Sequence, residues 1–362
     1  MREFDLWLTH GSDLADRAVE LLAAAGVAED IGGQGSRIGI KPNLVLPRPA
    51  SQGATTHPEI AEGVIRYLHQ HGFKNLVILE GSWVGDRTEA AFAVCGYQAL
   101  SAKTGVPLID TKKDSWKNQD AAGLEIAVCD SVMALDYLIN LPVMKGHCQT
   151  NITCAMKNLK GLIPDREKRR FHTLGLHKPI ARLASLMPRG FTLVDAVCGD
   201  LDFEEGGNPV RRDQLIGGFD QVLVDAWVCR AMGFDLEEVP YIGMAERLGL
   251  GSANVDSARV AVLQKPGMPV SARNSRKVAQ LLSRVDQREA CSACCAALVF
   301  ALHRLSRQGE RRAAALPLSI GQGFKGRGGD MGIGSCTAGF ARHVKGCPPQ
   351  AADIIGFLKE QA

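Results

Sequence analysis

The chain has no apolar stretch long enough to cross a bilayer; its longest, around residues 294–302, falls well short of the roughly 20 residues a membrane helix needs. The N-terminal residues MREFDLWLTHGSD put acidic groups where a secretory leader needs an apolar core, so a cytoplasmic location is expected. A strong charge of one sign is also missing, since 42 Lys and Arg stand against 39 Asp and Glu. Aromatic residues make up only 6% and do not interleave with basic ones along a face, which excludes a nucleic-acid surface. No Gly-rich dinucleotide fingerprint follows the first strand and no P-loop occurs. There is no Ser-His-Asp order or nucleophile elbow, which argues against hydrolase triad chemistry.

What is present is an alternation of short apolar runs with amphipathic segments. Residues 37–41 (RIGIK), 75–79 (NLVIL), 106–109, 137–141, 192–196 and 259–263 read as strands. Helices are expected over 12–25, 58–71, 89–102, 220–232 and 237–248. Strands alternating with helices give an α/β class with a mainly parallel sheet and flanking helices. Residues 1–268 are expected to form this domain with an anion-binding cleft, and 269–362 a small cysteine-rich module. The glycine-dense run 321–334 lacks a strand-then-helix frame and reads as a flexible loop.

The organising stretch is 142–178. Lys145, Gly146 and His147 follow the 137–141 strand, and Lys157, Asn158, Lys160 and Gly161 come shortly after. A helix over 151–158 would put His147, Asn151, Cys154 and Asn158 on one face. Lys41, Glu80, Lys145 and Asp195 each follow a predicted strand, and open α/β sheets bind ligands outside their strands' carboxyl ends. Lys41, Lys145, His147 and Asp195 are the candidates for acid–base chemistry. Asn43, His57, Lys157, Asn158, Lys160 and His172 are the candidates for holding an anionic small molecule, a carboxylate or phosphate, with His172 and His177 as a lid. The competing reading is that Lys41 and Lys145 only neutralise carboxylates.

Several blocks carry a family resemblance: MKGH (144–147), AMKNLKGLIPD (155–165) and the trailing His172, with KPN (41–43) and TTHP (55–58) upstream. VDA (194–196) and GGFDQVLVD (217–225) follow downstream. Over residues 37–251 the chain resembles the uncharacterised iron–sulfur centre proteins, domain of unknown function number 362. The resemblance implies a fold and a metal cluster but no defined reaction.

Eleven cysteines, an odd number in a chain expected to be cytoplasmic, argue against a disulfide framework. Cys95, Cys129, Cys198 and Cys229 sit singly among apolar residues and read as buried structural thiols. Cys291, Cys294, Cys295, Cys336 and Cys347 all fall in the last quarter. Four thiolates suffice for a 4Fe–4S cluster or a zinc site, and Cys291, Cys294, Cys336 and Cys347 are the expected ligands. Cys295 would point about 100° away from Cys294 on a helix and replaces it only if the turn is not helical. The Pro after Cys347 and the glycines near Cys336 and Cys347 favour iron over zinc. A cysteine-rich core without metal is the third option, and no C-x2-C-x2-C run is present.

The combined expectation is an iron–sulfur protein in redox or electron transfer, serving the cleft or a protein partner. Two alternatives stand beside it. One is a non-redox enzyme of racemase, lyase or transferase type with a structural or Lewis-acid metal; the other is a non-catalytic iron–sulfur scaffold or sensor. A homodimer is compatible with the sequence.

Overall fold

Runs of Ile, Leu and Val that alternate or persist as strands supply the frame. The computed structural model describes residues 3–265 and 272–362. Strands β1 (Leu6–His10), β2 (Ile38–Pro42), β3 (Leu76–Glu80) and β4 (Leu108–Asp110) come first. A hairpin of β5 (Trp116–Asp120) and β6 (Glu125–Cys129) precedes β7 (Tyr137–Leu141). A second hairpin, β8 (Lys145–His147) with β9 (Asn151–Thr153), precedes β10 (Gly190–Asp200), β11 (Pro209–Gly218) and β12 (Val260–Val262).

Eight strands form one sheet in the order β12-β1-β11-β10-β7-β2-β3-β4. Only β11 runs against its neighbours; every other pairing in the sheet is parallel. The chain runs from β2 outward to β3 and β4, then returns to β7 on the other side of β2. The β2–β7 junction is therefore a topological switch point, where the crevice outside the strand ends opens. The helices Leu14–Ala25 and Pro58–Gln70 bury Leu21, Leu22, Val64 and Leu68 in the same core as Ile38, Ile40, Tyr137 and Ile139. Burying each such side chain contributes about 2 kcal/mol.

The chain divides into two compact units, Met1–Glu167 with His177–Asn274, and Lys168–Leu176 with Ser275–Ala362. The boundary expected between 268 and 269 lies outside the described residues. In the second unit β13 (Val285–Gln287), β14 (Leu318–Ile320), β15 (Met331–Ile333) and β16 (Arg342–Val344) form a parallel sheet in that order. The helices Ser292–Arg307 and Ala351–Glu360 contribute Leu298, Leu302, Ile354 and Leu358 to its interior. Among the described residues no helix is long and apolar enough to cross a membrane.

Four local expectations are corrected. Residues 151–158 are not one helix: Asn151–Thr153 pairs with Lys145–His147, and only Ala155–Asn158 is helical. The reason is Asp225, whose carboxylate accepts the Ala155 and Met156 N–H groups at 2.7 and 3.0 Å and so fixes the helix start there. The segment 89–102 is two helices, Thr88–Val94 and Tyr97–Thr104, interrupted at Gly96, whose φ of 83° is left-handed. In 237–248 the helix starts only at Tyr241, after Pro240. The run 321–334 is not simply loop, since it contains β15.

Candidate functional site

Lys41, at the end of β2, is fully buried. Its Nζ donates to the Pro42 carbonyl (2.6 Å), Glu80 Oε2 (2.7 Å) and Asn158 Oδ1 (3.1 Å). Three acceptors match the three ammonium protons. Asn158 also accepts from Asn43 Nδ2 at 2.7 Å and donates to Asn140 Oδ1 at 2.8 Å, so amides from the residue after β2, from β7 and from the Ala155–Asn158 helix interlock. Thr56 Oγ1 accepts from Asn43 N (2.8 Å) and donates to the Leu141 carbonyl (2.7 Å), which ties the two strand ends together. A Cβ on Gly161 would lie 2.1 Å from Glu80 Oε1 and 2.7 Å from Lys41 Nζ, so glycine is required there. The KPN, TTHP and MKNLKG blocks thus describe one buried joint at the switch point.

A second network lies beyond β7. Lys145 Nζ donates to the carbonyls of Ala54 (2.5 Å) and Glu204 (3.0 Å). Lys157 Nζ meets Glu204 Oε1 at 2.8 Å and Thr153 Oγ1 at 3.3 Å. His147 Nδ1 accepts the N–H groups of Gln149 (3.0 Å) and Thr150 (3.1 Å), which puts the neutral ring's proton on Nε2, 2.8 Å from Glu204 Oε2. Burial alone would raise the Glu204 carboxyl, but His147, Lys157 and Lys145 outweigh it and hold it well below the usual range. Burial pulls Lys145 down to about 7, against the opposing pull of Glu204. Burial likewise pulls His147 to about 4, with Lys157 and the half-buried Lys160 adding to the fall.

The His147 shift has a sign that can be checked. Its folded pKa lies below the unfolded value of about 6.5, so the unfolded chain binds the extra proton first as pH falls. Stability is therefore lost between about pH 6.5 and about 4. His147→Asn is expected to flatten urea-unfolding stability across that window; an unchanged slope would assign the acid lability elsewhere.

The third group opens to a cavity. His57 caps the helix Pro58–Gln70, and its Nδ1 and backbone N lie 2.8 and 2.9 Å from Asp195 Oδ2. Asp195 Oδ1 accepts from Val197 N at 3.1 Å, so this fully buried carboxylate orients His57 rather than a lysine. Burial lowers the affinity of His57 for a proton, but Asp195 and Cys198 more than reverse this and raise its pKa to about 10. His57 Nε2 is 3.7 Å from Cys198 Sγ. In a regular strand residues 195 and 198 face opposite ways, but the β10–β11 register shifts between Ala196 and Cys198. That bulge re-aims Cys198 onto the face of Asp195. His57 and Cys198 line a cavity of about 640 Å³ with Ser12, Leu14, Ser51 and Arg211.

The residues expected to form one cleft thus fall into three groups: Lys41, Asn43 and Asn158; Lys145, His147, Lys157 and Lys160; and His57 with Asp195. His172 belongs to the second unit, where its Nε2 accepts from the Ser292 N–H at 3.4 Å. His177 belongs to the first, stacked on Tyr241 at 5.9 Å. Sequence reasoning missed Glu204 and Cys198. Two lysines twelve residues apart in an apolar setting do call for a buried carboxylate, and that was the available signal for Glu204.

In the second unit the parallel strands again deliver the reactive side chains at their carboxyl ends. Cys291 caps the helix Ser292–Arg307 that follows β13, while Cys336 and Cys347 follow β15 and β16. The two loops are laced by Ser335 N donating to Gly346 O (2.9 Å) and Gly334 N to Val344 O (2.8 Å). A Cβ on Gly334 would stand 3.9 Å from Cys294 Sγ, which places that thiol against the Cys336 loop. Burial pushes the Cys294 thiol well up, and Cys291, Cys347, Cys336 and Cys295 each push it further. Cys295 is fully buried and donates to Gln287 Oε1 at 3.5 Å. No disulfide joins the eleven cysteines. Among the described residues no three His, Cys, Asp or Glu side chains stand in a metal-holding geometry.

The model of the family called Domain of unknown function (DUF362) matches residues 38–230, more than half of the chain. The chain belongs to the DUF362 family. The match spans the buried joint, the Glu204 network and the His57–Asp195–Cys198 group, and of the second unit it takes in Lys168–Leu176 but none of Ser275–Ala362. This DUF362 chain is 24% identical over 239 residues to the thylakoid-associated protein sll1697 of Synechocystis sp., covering 61% of this chain and 73% of that protein. Two solved structures are similar at low identity. One is a Thermotoga maritima protein (15% identity, TM-score 0.38, 66% of this chain and 60% of that one). The other is the lactate racemase apoprotein of Thermoanaerobacterium thermosaccharolyticum (13%, TM-score 0.42, 64% and 57%). The chain spans less than two thirds of either solved protein.

Proposed function

We propose that this DUF362 protein is an iron–sulfur redox protein whose second unit holds one cluster, of 4Fe–4S type, on Cys291, Cys294, Cys336 and Cys347. The observation that carries the reading is the placement of Cys291, Cys336 and Cys347 beyond the carboxyl ends of parallel strands, with the Cys294 thiol against the Cys336 loop. Sulfur ligands of this kind suit a soft, cationic centre, and binding one would draw the protons off the thiols. Cys295 is left out because its thiol is engaged by Gln287. When bound, a cluster supplies one-electron transfer, to a protein partner or to a ligand of the first unit. The first unit offers its small-molecule site at the His57 cavity, where the protonated ring, Arg211 and the hydroxyls of Ser12 and Ser51 stand beside the carboxylates of Asp13, Glu59 and Asp213, a mixed lining that suits a polar small molecule. The buried lysines serve as structural cations, their protons directed at protein acceptors.

The test is an absorption spectrum of anaerobically purified protein with iron, zinc and acid-labile sulfide assayed together. Visible absorption that bleaches with dithionite, with iron and sulfide equal, is expected. Cys347→Ser should abolish it, while Cys295→Ser should leave it. Full iron and sulfide in Cys347→Ser would sink the ligand assignment, and a colourless zinc protein would make the unit a structural clamp.

A further inference from the structure

The bulge in β10 assembles a constellation that the chain order conceals. Cys198 Sγ lies 3.4 Å from the Ala50 carbonyl oxygen and 3.7 Å from His57 Nε2, which holds the shared proton when the ring is charged and the sulfur is a thiolate. His57 is held through its other nitrogen by Asp195, so the ring cannot turn away from the thiol. A nucleophile, a base and a group that orients the base, in that sequence of contacts, is the arrangement that activates a nucleophile. It faces a cavity of about 640 Å³, large enough for a small organic ligand. Cys198 is the one thiol among the residues lining that cavity, so a disulfide formed there has no resolving partner in it. Leu14 and Ala15 line it too, in the first turn of a twelve-residue helix whose N-terminal end is capped by the Asp13 carboxylate.

We propose that Cys198 is a covalent nucleophile for small acyl donors, esters or thioesters, bound in this cavity, with His57 as the proton carrier and Asp195 as its positioning residue. The proton shared between Cys198 Sγ and His57 Nε2 stays on the ring as Sγ attacks the acyl carbon. The bond to the leaving oxygen or sulfur then breaks, and that atom takes the proton from His57. Water attacks the resulting thioester, His57 accepts its proton and shares it again with the departing Sγ, and the carboxylic acid leaves. Electrons and atoms balance as a net hydrolysis, with no oxidant or reductant. The proposal rests on the His57 cavity being the first unit's small-molecule site and is independent of the cluster.

The probe is p-nitrophenyl acetate on the full chain, followed by p-nitrophenolate release and by peptide-resolved mass spectrometry of the acetyl label. Cys198 is expected to acquire the label fastest of the eleven cysteines. His57→Gln should slow labelling at Cys198 by about 100-fold while leaving the other cysteines unchanged. Cys198→Ala, which removes only the thiol, should abolish turnover and gives a readout even if His57→Gln folds poorly. Equal labelling of Cys198 in parent and His57→Gln, or full turnover in Cys198→Ala, overturns the proposal. Cys347→Ser should label like the parent, which separates a failure here from a failure of the cluster assignment.

Discussion

Glu204→Ala is expected to cost the first unit about 3–5 kcal/mol, the loss seen when one partner of a buried ion pair is removed. Glu204 is 2% exposed and stands 2.8 Å from both Lys157 Nζ and His147 Nε2. Without it, Lys157 keeps Thr153 Oγ1 at 3.3 Å, a hydroxyl that cannot neutralise it. The ammonium must then remain charged in an apolar setting, admit water, or give up its proton, and each course costs several kcal/mol. Glu204→Gln keeps the shape and one acceptor and should lose less. Urea unfolding at neutral pH with an unchanged m-value is the measurement. The alanine variant should also gain stability as pH rises above neutral, because its lysines then hold depressed folded pKa values while the unfolded chain still binds their protons. A loss under about 1 kcal/mol would mean that Lys157 is neutralised by another group.

How much of this was legible in the sequence depended on whether the cause was local. The strand at 137–141 was readable to the residue, because four apolar or aromatic positions and Asn140, bounded by Asp136 and Pro142, leave one register. The convergence of Lys41 and Glu80 at strand ends was readable too, since parallel strands put their carboxyl ends on one edge. Glu204 was not, because Glu204-Glu205-Gly206-Gly207 looks like a solvated acidic turn until the chain folds it over Lys145 and Lys157. Cys198 failed for another reason. Alternation puts it opposite Asp195, and only the bulge, which depends on the pairing with β11, brings the two together. The helix expected at 151–158 had a suitable pattern of spacing, and lost to a cap from Asp225, some seventy residues on.

The same physical rule organises both units. A parallel sheet turns its strands' carboxyl ends to one edge, and the loops there are released from the ladder and can carry polar groups. In the first unit that edge was closed by amides and ion pairs, leaving His57 and Cys198 at the cavity. In the second it carries thiols on loops tied by backbone bonds.

The Lys41–Glu80 pair separates a structural lysine from a catalytic one, and a double-mutant cycle is expected to show strong non-additivity. Glu80→Ala leaves Lys41 buried without its carboxylate, 2.7 Å away in the parent, and strips the acceptor from Leu44 N (2.9 Å) and Gly81 N (2.7 Å). A loss of about 3–5 kcal/mol is expected. Lys41→Met leaves an anion that still accepts those two N–H groups, and should cost less. Combining Lys41→Met with Glu80→Gln removes both charges, while the introduced amide oxygen still accepts one N–H. That pair should recover about 1–3 kcal/mol relative to the sum of the Lys41→Met and Glu80→Gln losses. Additive losses would show that the two residues do not depend on one another. The stable double variant then answers the functional question. Because Lys41 directs its protons at Pro42, Glu80 and Asn158, the variant should label Cys198 with acetyl at the parent rate. A folded double variant that loses labelling would return Lys41 to the chemistry, since stability alone could not account for the loss.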